Sequence, residues 1–163
     1  MNVRCLTEGD SSSVLTVQAA CYRPELIESD EAFLRKMALF PEGCLGAFQA
    51  AKMQGYVFGH PWTRGQIVPL GSSDYSLPRD AGCMYLHDLA VLPALRRTGV
   101  AVLLVRGLVE VGVRNGVDAF ALVAVQDSEA YWVLWGFKVE SVFEYGAGVR
   151  ASYMTCEGVP TWR

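Results

Sequence analysis

The segment 84–104 joins an apolar, strand-like run that carries His87 to a helix, through a turn with two arginines and a glycine. Arg96 and Arg97 place positive charge in this turn, and Gly99 lets a ligand approach the backbone closely. The first turn of a helix presents free N–H groups and the positive end of the helix dipole, and both attract phosphate. The pattern predicts a phosphate-binding junction between a strand and a helix. The alternative is a turn that only caps the helix.

Polar residues recur at every fourth position after the turn, which is typical of a helix that is buried on most sides. Arg106, Glu110 and Arg114 form this stripe. Thr98 can serve as the N-cap of the helix, and Asn115-Gly116 is typical of its end. We therefore expect a helix between these two signals.

Composition limits the classes of protein that the chain can belong to. Its 163 residues, 52% of them hydrophobic, suit one domain over residues 1–163. A net charge of -3 argues against a nucleic-acid partner, which needs clustered Lys and Arg. Five scattered cysteines without CxxC spacing predict reduced thiols and no metal site. With no signal peptide or apolar run long enough to span a bilayer, we expect a cytoplasmic protein without a membrane partner.

Periodicity and turn residues predict an α/β protein with the element order βααβββαβαββ. The predicted strands are 2–6, 44–50, 54–59, 85–92, 118–125, 139–145 and 149–156, and the predicted helices are 10–20, 30–39, 99–115 and 128–135. Residues 62–82 are predicted to form a long polar loop, and loops of this length are often functional.

Two motifs resemble those of the GNAT acetyltransferase superfamily. Arg96-x-x-Gly99-x-Ala101 is similar to its pyrophosphate motif, which is Arg or Gln, two residues, Gly, one residue, and Gly or Ala. Residues 128–137, Ser-Glu-Ala-Tyr-Trp-Val-Leu-Trp-Gly-Phe, resemble its later motif, Ala-x-x-Phe-Tyr-x-x-x-Gly-Phe. The resemblance covers roughly residues 55–142. It implies the GNAT fold, a mixed central sheet splayed near its middle, and acetyl-CoA as the cosubstrate.

The resemblance also implies which residues bind CoA. An unpaired strand edge can join the amide-containing pantetheine arm as if it were another strand, and one of its N–H groups can polarise the thioester carbonyl. The turn would bind the pyrophosphate, and the short later helix would pack on the CoA arm. The positions that match are Leu89, Ala90 and Val91 on the strand, Arg96, Arg97, Thr98, Gly99, Val100 and Ala101 in the turn and helix start, and Tyr131 and Trp132 on the later helix.

His87 is the candidate general base. A primary amine is mostly protonated at neutral pH and must lose a proton before it can attack a thioester. The stretch 85–89 resembles the His-x-His-x-Leu strand of arylalkylamine N-acetyltransferases, with Tyr85 in place of the first histidine. Strand alternation puts Tyr85 on the face of His87 and Asp88 on the opposite face. The alternative for His87 is a hydrogen-bonded core histidine.

The position that often supplies a tyrosine as general acid in this superfamily is Trp132, four residues before Gly136. An indole N–H donates a hydrogen bond but is not an acid at neutral pH. Trp132 is therefore expected to pack on the CoA arm. The proton for the thiolate would come from Tyr85 or another tyrosine, or the thiolate would leave without full protonation.

Acceptor contacts are predicted in two loops. The run Gly55-Tyr-Val-Phe-Gly-His-Pro-Trp62 resembles a subset of GNAT proteins that have a His-Pro-Trp loop, so His60 and Trp62 are candidates to line the acceptor pocket. Tyr22 and Glu25 lie in the break between the first two helices, which is the other loop that commonly meets the acceptor. The alternatives are a solvated loop histidine for His60, a loop anchor for Trp62, and solvated charge for Glu25.

These features predict an acetyl-CoA-dependent N-acetyltransferase that acts on the primary amine of a small molecule by direct attack in a ternary complex. An acyl-enzyme is less favoured because no cysteine falls in either motif. The alternatives are an N-terminal acetyltransferase of peptides or proteins and a non-catalytic CoA-binding sensor. The final apolar hairpin fits a monomer or a homodimer.

Overall fold

A computed structural model of the chain describes residues 1–162, which form a seven-stranded mixed sheet and four α-helices. The strand order across the sheet is β1-β2-β3-β4-β5-β7-β6. Along the chain the elements are β1 (Asn2–Cys5), α1 (Ser11–Cys21), α2 (Asp30–Leu39), β2 (Cys44–Gln49), β3 (Lys52–Trp62), β4 (Cys83–Val91), α3 (Val100–Arg114), β5 (Ala119–Ala124), α4 (Glu129–Val133), β6 (Lys138–Tyr145) and β7 (Val149–Glu157). The predicted order βααβββαβαββ is confirmed. No helix in the described part of the chain is long and apolar enough to cross a membrane.

Helices cover both faces of the sheet because neighbouring residues of the central strands alternate between two apolar clusters. Tyr56 packs with α1 and α2 on one face, whereas Val57 packs with α3 on the other. The predicted polar stripe of α3 is exposed, and Leu104 and Leu108 are fully buried. Met84 and Leu86, in the first half of β4, pack with α3, whereas Cys83 and Tyr85 pack in a third apolar cluster with Val68.

The sheet splays between its two central parallel strands. β4 pairs with β5 only from Met84 to Leu86, although β4 stays paired with β3 as far as Val91. Beyond Leu86, one edge of β4 is therefore free of a neighbouring strand. This confirms the predicted splay and leaves the backbone of residues 87–91 available on the β5 side.

A β-bulge lies at His87. Phe58 of β3 pairs with Asp88 and Gly59 pairs with Leu86, so His87 is the extra residue with no partner opposite it. An extra residue interrupts the alternation of side chains. The prediction that Asp88 faces away from His87 is therefore wrong, since both side chains lie on the face that α1 and α2 cover.

Strand β3 is longer than predicted and includes His60 and Trp62, which were assigned to a loop. Pro61 favours a turn in the sequence pattern, because proline has no backbone N–H to donate to a neighbouring strand. However, β2 pairs with β3 only as far as Phe58, so no β2 residue lies opposite Pro61 to accept such a hydrogen bond. His60 is 2% exposed, and the prediction of a solvated loop histidine is wrong. The loop begins at Thr63.

Candidate active site

A cavity of about 910 Å³ opens at the splay of the sheet. The second half of β4, from Leu86 to Val91, forms one wall, and Leu122 and Val123 of β5 lie on the other side of the splay. The cavity extends along β4 to the Arg/Gly turn, and it also reaches Glu28 and Leu70 beside His87. Its position makes the unpaired edge of β4 accessible to an extended ligand.

The Arg/Gly turn at one end of the cavity leaves the first N–H groups of α3 without a side-chain cap. Gly99 is the N-cap and has φ +92°, and Arg97 also has a positive φ of +65°. Thr98 does not cap the helix, because its hydroxyl donates to the carbonyl of Leu95 at 2.7 Å. Arg96, Arg97 and Gly99 line the cavity and are exposed. The turn has the free N–H groups and the positive charge that a pyrophosphate requires.

We expect Arg97→Ala to raise the KM for acetyl-CoA by about tenfold to a hundredfold, since a hydrogen bond between charged groups contributes about 1.5–3 kcal/mol. Initial rates against S-acetyl-pantetheine, which lacks the pyrophosphate, provide the control, and their KM should not change. Arg106→Ala, on the exposed side of α3, is the matched variant. An equal rise in KM for both thioesters would contradict a pyrophosphate site at Arg97.

The side chain of His87 is buried against a glutamate from the segment between α1 and α2. Nε2 of His87 lies 3.1 Å from Oε1 of Glu28, and the two side chains are 2% and 4% exposed. Nδ1 of His87 has no hydrogen-bond partner among residues 1–162. His87 and Glu28 both line the cavity, so the pair forms part of the cavity wall beside the free edge of β4.

Lys36 of α2 joins His87 and Glu28 to form a buried triad. Its Nζ donates to both carboxylate oxygens of Glu28 at 3.0 Å, and its side chain is 1% exposed. The N–H of Gly71 donates to Oε2 of the same carboxylate at 2.9 Å. Gln18 of α1 binds the backbone of Glu28 through both ends of its amide. Two helices and the 63–82 loop thus fix the carboxylate in place.

This environment determines the charge and tautomer of His87. Burial alone would raise the pKa of Glu28, but the neighbouring His87 and Lys36 lower it below its usual value, so the carboxylate is ionised at neutral pH. An ionised carboxylate only accepts, so Nε2 of His87 must carry the hydrogen and Nδ1 must hold the lone pair. Burial lowers the pKa of His87, and the charge of Lys36 lowers it further. His87 is therefore neutral at pH 7 and able to accept a proton at Nδ1.

Asp88 belongs to a separate hydrogen-bond network on the same face. The hydroxyl of Tyr56 donates to Oδ2 of Asp88 at 2.8 Å, and the hydroxyl of Tyr22 contacts Oδ1 as well as the carbonyl oxygen of Leu89. Burial raises the pKa of Asp88 to about 6. This network ties the end of α1 to β4, where Tyr22 lines the cavity.

The structure brings most of the predicted site residues to the cavity but not all of them. Those that line it are His87, Leu89, Ala90, Val91, Arg96, Arg97, Gly99, Ala101, Tyr22, Tyr131 and Trp132. Those that do not are Tyr85, Thr98, Val100, Glu25, His60 and Trp62. Tyr85, the predicted proton donor, is 1% exposed and packs behind His87 with His60. His60 and Trp62 lie away from the cavity because they belong to β3 rather than to the covering loop.

Sequence reasoning missed the two charged partners of His87. Glu28 is 59 residues from His87 along the chain, and Lys36 lies on a helix whose exposed charges look the same in sequence. A lysine is rarely buried unless it is paired, so composition gives no signal for one. Leu70 and Tyr145, which also line the cavity, were missed because they come from a loop and a distant strand. Among the described residues, no group of three or more His, Cys, Asp or Glu is arranged to hold a metal ion.

The splayed sheet with a cavity along its free edge defines an acyl-CoA-dependent transferase. The acetyltransferase (GNAT) family model matches residues 12–137, and the chain belongs to this family. A comparison with curated protein sequences gives no match.

Three solved structures illustrate the similarity of fold. The loading GNATL domain of CurA from Lyngbya majuscula is 14% identical, with 96% of each chain covered and a TM-score of 0.83. The ribosomal-protein-S18-alanine N-acetyltransferase from Escherichia coli is 16% identical over 99% of this chain and 96% of that one, with a TM-score of 0.70. PaiA N-acetyltransferase from Thermoplasma acidophilum, solved with coenzyme A, is 16% identical over 96% and 98%, with a TM-score of 0.65.

Proposed function

We propose that the protein transfers the acetyl group of acetyl-CoA to the primary amine of a small molecule, by direct attack in a ternary complex. The observation that carries this proposal is the neutral His87, whose Nε2–H is held by Glu28 at 3.1 Å beside the free edge of β4. Such a histidine accepts a proton from an amine as the amine attacks. The similarity of residues 85–89 to the arylalkylamine N-acetyltransferase strand supports a small acceptor.

The residues of the cavity suit an acetyl-CoA molecule. The backbone of Leu89, Ala90 and Val91 is unpaired on the β5 side and can hydrogen-bond the pantetheine arm. A backbone N–H there can polarise the thioester carbonyl, which makes its carbon open to attack. Trp132 lies in the cavity wall, where its ring can pack on the arm, and the exposed Arg96 and Arg97 suit the pyrophosphate.

The acceptor end of the cavity favours a small molecule over a peptide. The 63–82 loop covers this end, since the N–H of Gly71 is bonded to Glu28 and Leu70 lines the cavity. Leu26 and Tyr145 add apolar surface there. An extended peptide needs an open groove for its main chain, whereas a loop at this end of the cavity supports a small acceptor. Relatives by fold include an N-acetyltransferase that is named for the alanine of ribosomal protein S18, so a peptide acceptor is the rival function to test.

Thiol release from acetyl-CoA, measured across small amines and short peptides, tests the proposal. We expect turnover with at least one class among aromatic amines, polyamines and amino acids, and much lower kcat/KM with peptides. Turnover restricted to peptide N-termini would overturn the choice of acceptor. Tight CoA binding without turnover on any acceptor would support a CoA-binding sensor instead.

A further inference from the structure

Few of the side chains that line the cavity carry a charge. Besides His87, the acidic and basic ones are Glu28, Asp88, Arg96 and Arg97. The two arginines belong to the Arg/Gly turn at the other end of the cavity, where the pyrophosphate would bind. The charged groups that an acceptor beside His87 meets are therefore the two carboxyl groups.

Both of these carboxyl groups are already bound by other groups of the protein. Lys36 donates to the two oxygens of Glu28 at 3.0 Å, so the charges of this pair cancel. The hydroxyl groups of Tyr56 and Tyr22 each bind one oxygen of Asp88. A second ammonium group on the acceptor would thus meet no unpaired anion among the described residues. A carboxylate on the acceptor would meet no free cation there, because the side chain of Lys36 is 1% exposed.

Three side chains with apolar surface line the same end of the cavity, and they come from three segments of the chain. Leu26 lies between α1 and α2, Leu70 lies in the loop after β3, and Tyr145 is the last residue of β6. A methyl group at Gly146 would lie 3.1 Å from Cδ2 of Leu70 and 3.8 Å from the carbonyl oxygen of Glu25. The three segments therefore meet at this point. We call Leu26, Leu70 and Tyr145 the apolar trio.

The one polar group of the apolar trio is already bonded within the protein. The hydroxyl of Tyr145 donates to the carbonyl oxygen of Val68 at 3.0 Å. Its hydrogen is thus not available to an acceptor, and the ring is the larger part of the side chain that an acceptor can contact.

We infer that the acceptor is a primary amine whose remaining part is apolar and uncharged, and that the apolar trio binds this part. The inference rests on the proposed function and names the class of acceptor. A second charged group would lose its hydration against the trio without gaining a partner. An apolar body instead removes its own surface and that of the trio from water. Monoamines with an alkyl or aryl body suit this site, whereas polyamines and amino acids do not.

Three acceptors of one chain length test this inference: hexylamine, hexamethylenediamine and ε-aminocaproate. They differ in the group at the far end, which is a methyl group, an ammonium group and a carboxylate, respectively. An apolar pocket disfavours even an added hydroxyl group by about a hundredfold, and an unpaired charge costs more to bury. We therefore expect kcat/KM for hexylamine to exceed that of the other two by at least about a hundredfold. Equal values for the three, or a higher value for either charged acceptor, would overturn the inference.

A charge introduced at Leu70 should change this selectivity. In Leu70→Asp, the ratio of kcat/KM for hexamethylenediamine to that for hexylamine should rise by about tenfold or more, because a hydrogen bond between charged groups then forms. Leu70→Asn has nearly the same shape without the charge and is the matched control. Each ratio is measured on one preparation, so the fraction of folded protein cancels. An unchanged ratio in Leu70→Asp, or an equal rise in Leu70→Asn, would overturn the inference.

Binding of the same three amines to the protein loaded with CoA separates this inference from the proposed function. Calorimetry gives a Kd for each amine without any reaction, and we expect the lowest Kd for hexylamine. Three equal Kd values, or no binding of any of the three, would overturn the inference. The expected order of Kd values without any acetylated product would instead reject the proposed function alone.

Discussion

Replacing His87 with alanine is expected to lower kcat for amine acetylation by about 10²- to 10⁴-fold, the usual contribution of a general base. The loss follows from the geometry, because Glu28 binds Nε2 of His87 and leaves the lone pair at Nδ1, which has no hydrogen-bond partner among residues 1–162. The Kd for CoA should stay the same, since the pyrophosphate turn and the edge of β4 are untouched. Rates and CoA titrations of the two proteins measure both quantities.

The pH dependence of the same variants separates a base from a core histidine. The wild-type kcat/KM should fall as the pH drops through the lowered pKa of His87, because the imidazolium cannot accept a proton. The groups that face this imidazole are Glu28, Lys36, Tyr85 and His60. His87→Ala should lose this acidic limb. A variant with normal kcat and an unchanged pH profile would show that His87 is only a core residue.

Replacing Lys36 with methionine is expected to destabilise the fold by about 3–5 kcal/mol, because removing one partner leaves a buried charge uncompensated. Both carboxylate oxygens of Glu28 lose a 3.0 Å hydrogen bond in this variant. Urea unfolding at pH 7 gives the free energy of unfolding. Lys138→Met, on the exposed strand β6, is the matched control and should change it little.

Two further measurements complete this test. One is the stability of the double variant Glu28→Gln/Lys36→Met, and the other is the pH dependence of stability. Removing both charges should recover most of the stability, since neither member of the Glu28–Lys36 pair is then left as an uncompensated buried charge. The folded-state pKa of Glu28 is lowered, so its contribution is present above the ordinary glutamate pKa of 4.5 and is lost as the pH falls below it. Wild type should show this acid loss and the double variant should not. A Lys36→Met protein as stable as wild type would contradict the buried triad.

Most elements of the fold were predictable because their signals are local. Helix α2 was predicted to the residue, and its cap is visible in the sequence, since the side chain of Ser29 accepts from the N–H of Ala32. The Arg/Gly turn also follows from local residues, as Gly99 supplies the positive φ at the start of α3. The splay between β4 and β5 is not local, and the sequence indicates it only through the family resemblance.

The surroundings of His87 could not be predicted, because they are formed by contacts between residues that are far apart in the chain. The bulge depends on the register of β3 against β4 at Phe58 and Gly59, and no local residue specifies it. It places Asp88 on the same face as His87, against the alternation that the strand pattern predicts. The contacts of Glu28 with His87 and with Gly71 join segments far apart in the chain. Pattern reasoning thus finds the histidine but not the carboxylate that determines its tautomer.

The most direct test of the account is transfer of an isotopically labelled acetyl group from acetyl-CoA to a mixture of small amines, followed by mass spectrometry. Wild type and His87→Ala should be compared at equal CoA occupancy. The account predicts a labelled N-acetyl amine with wild type and almost none with His87→Ala. A wild-type protein that binds acetyl-CoA but labels no small amine, or a His87→Ala protein that labels it equally well, would contradict the account.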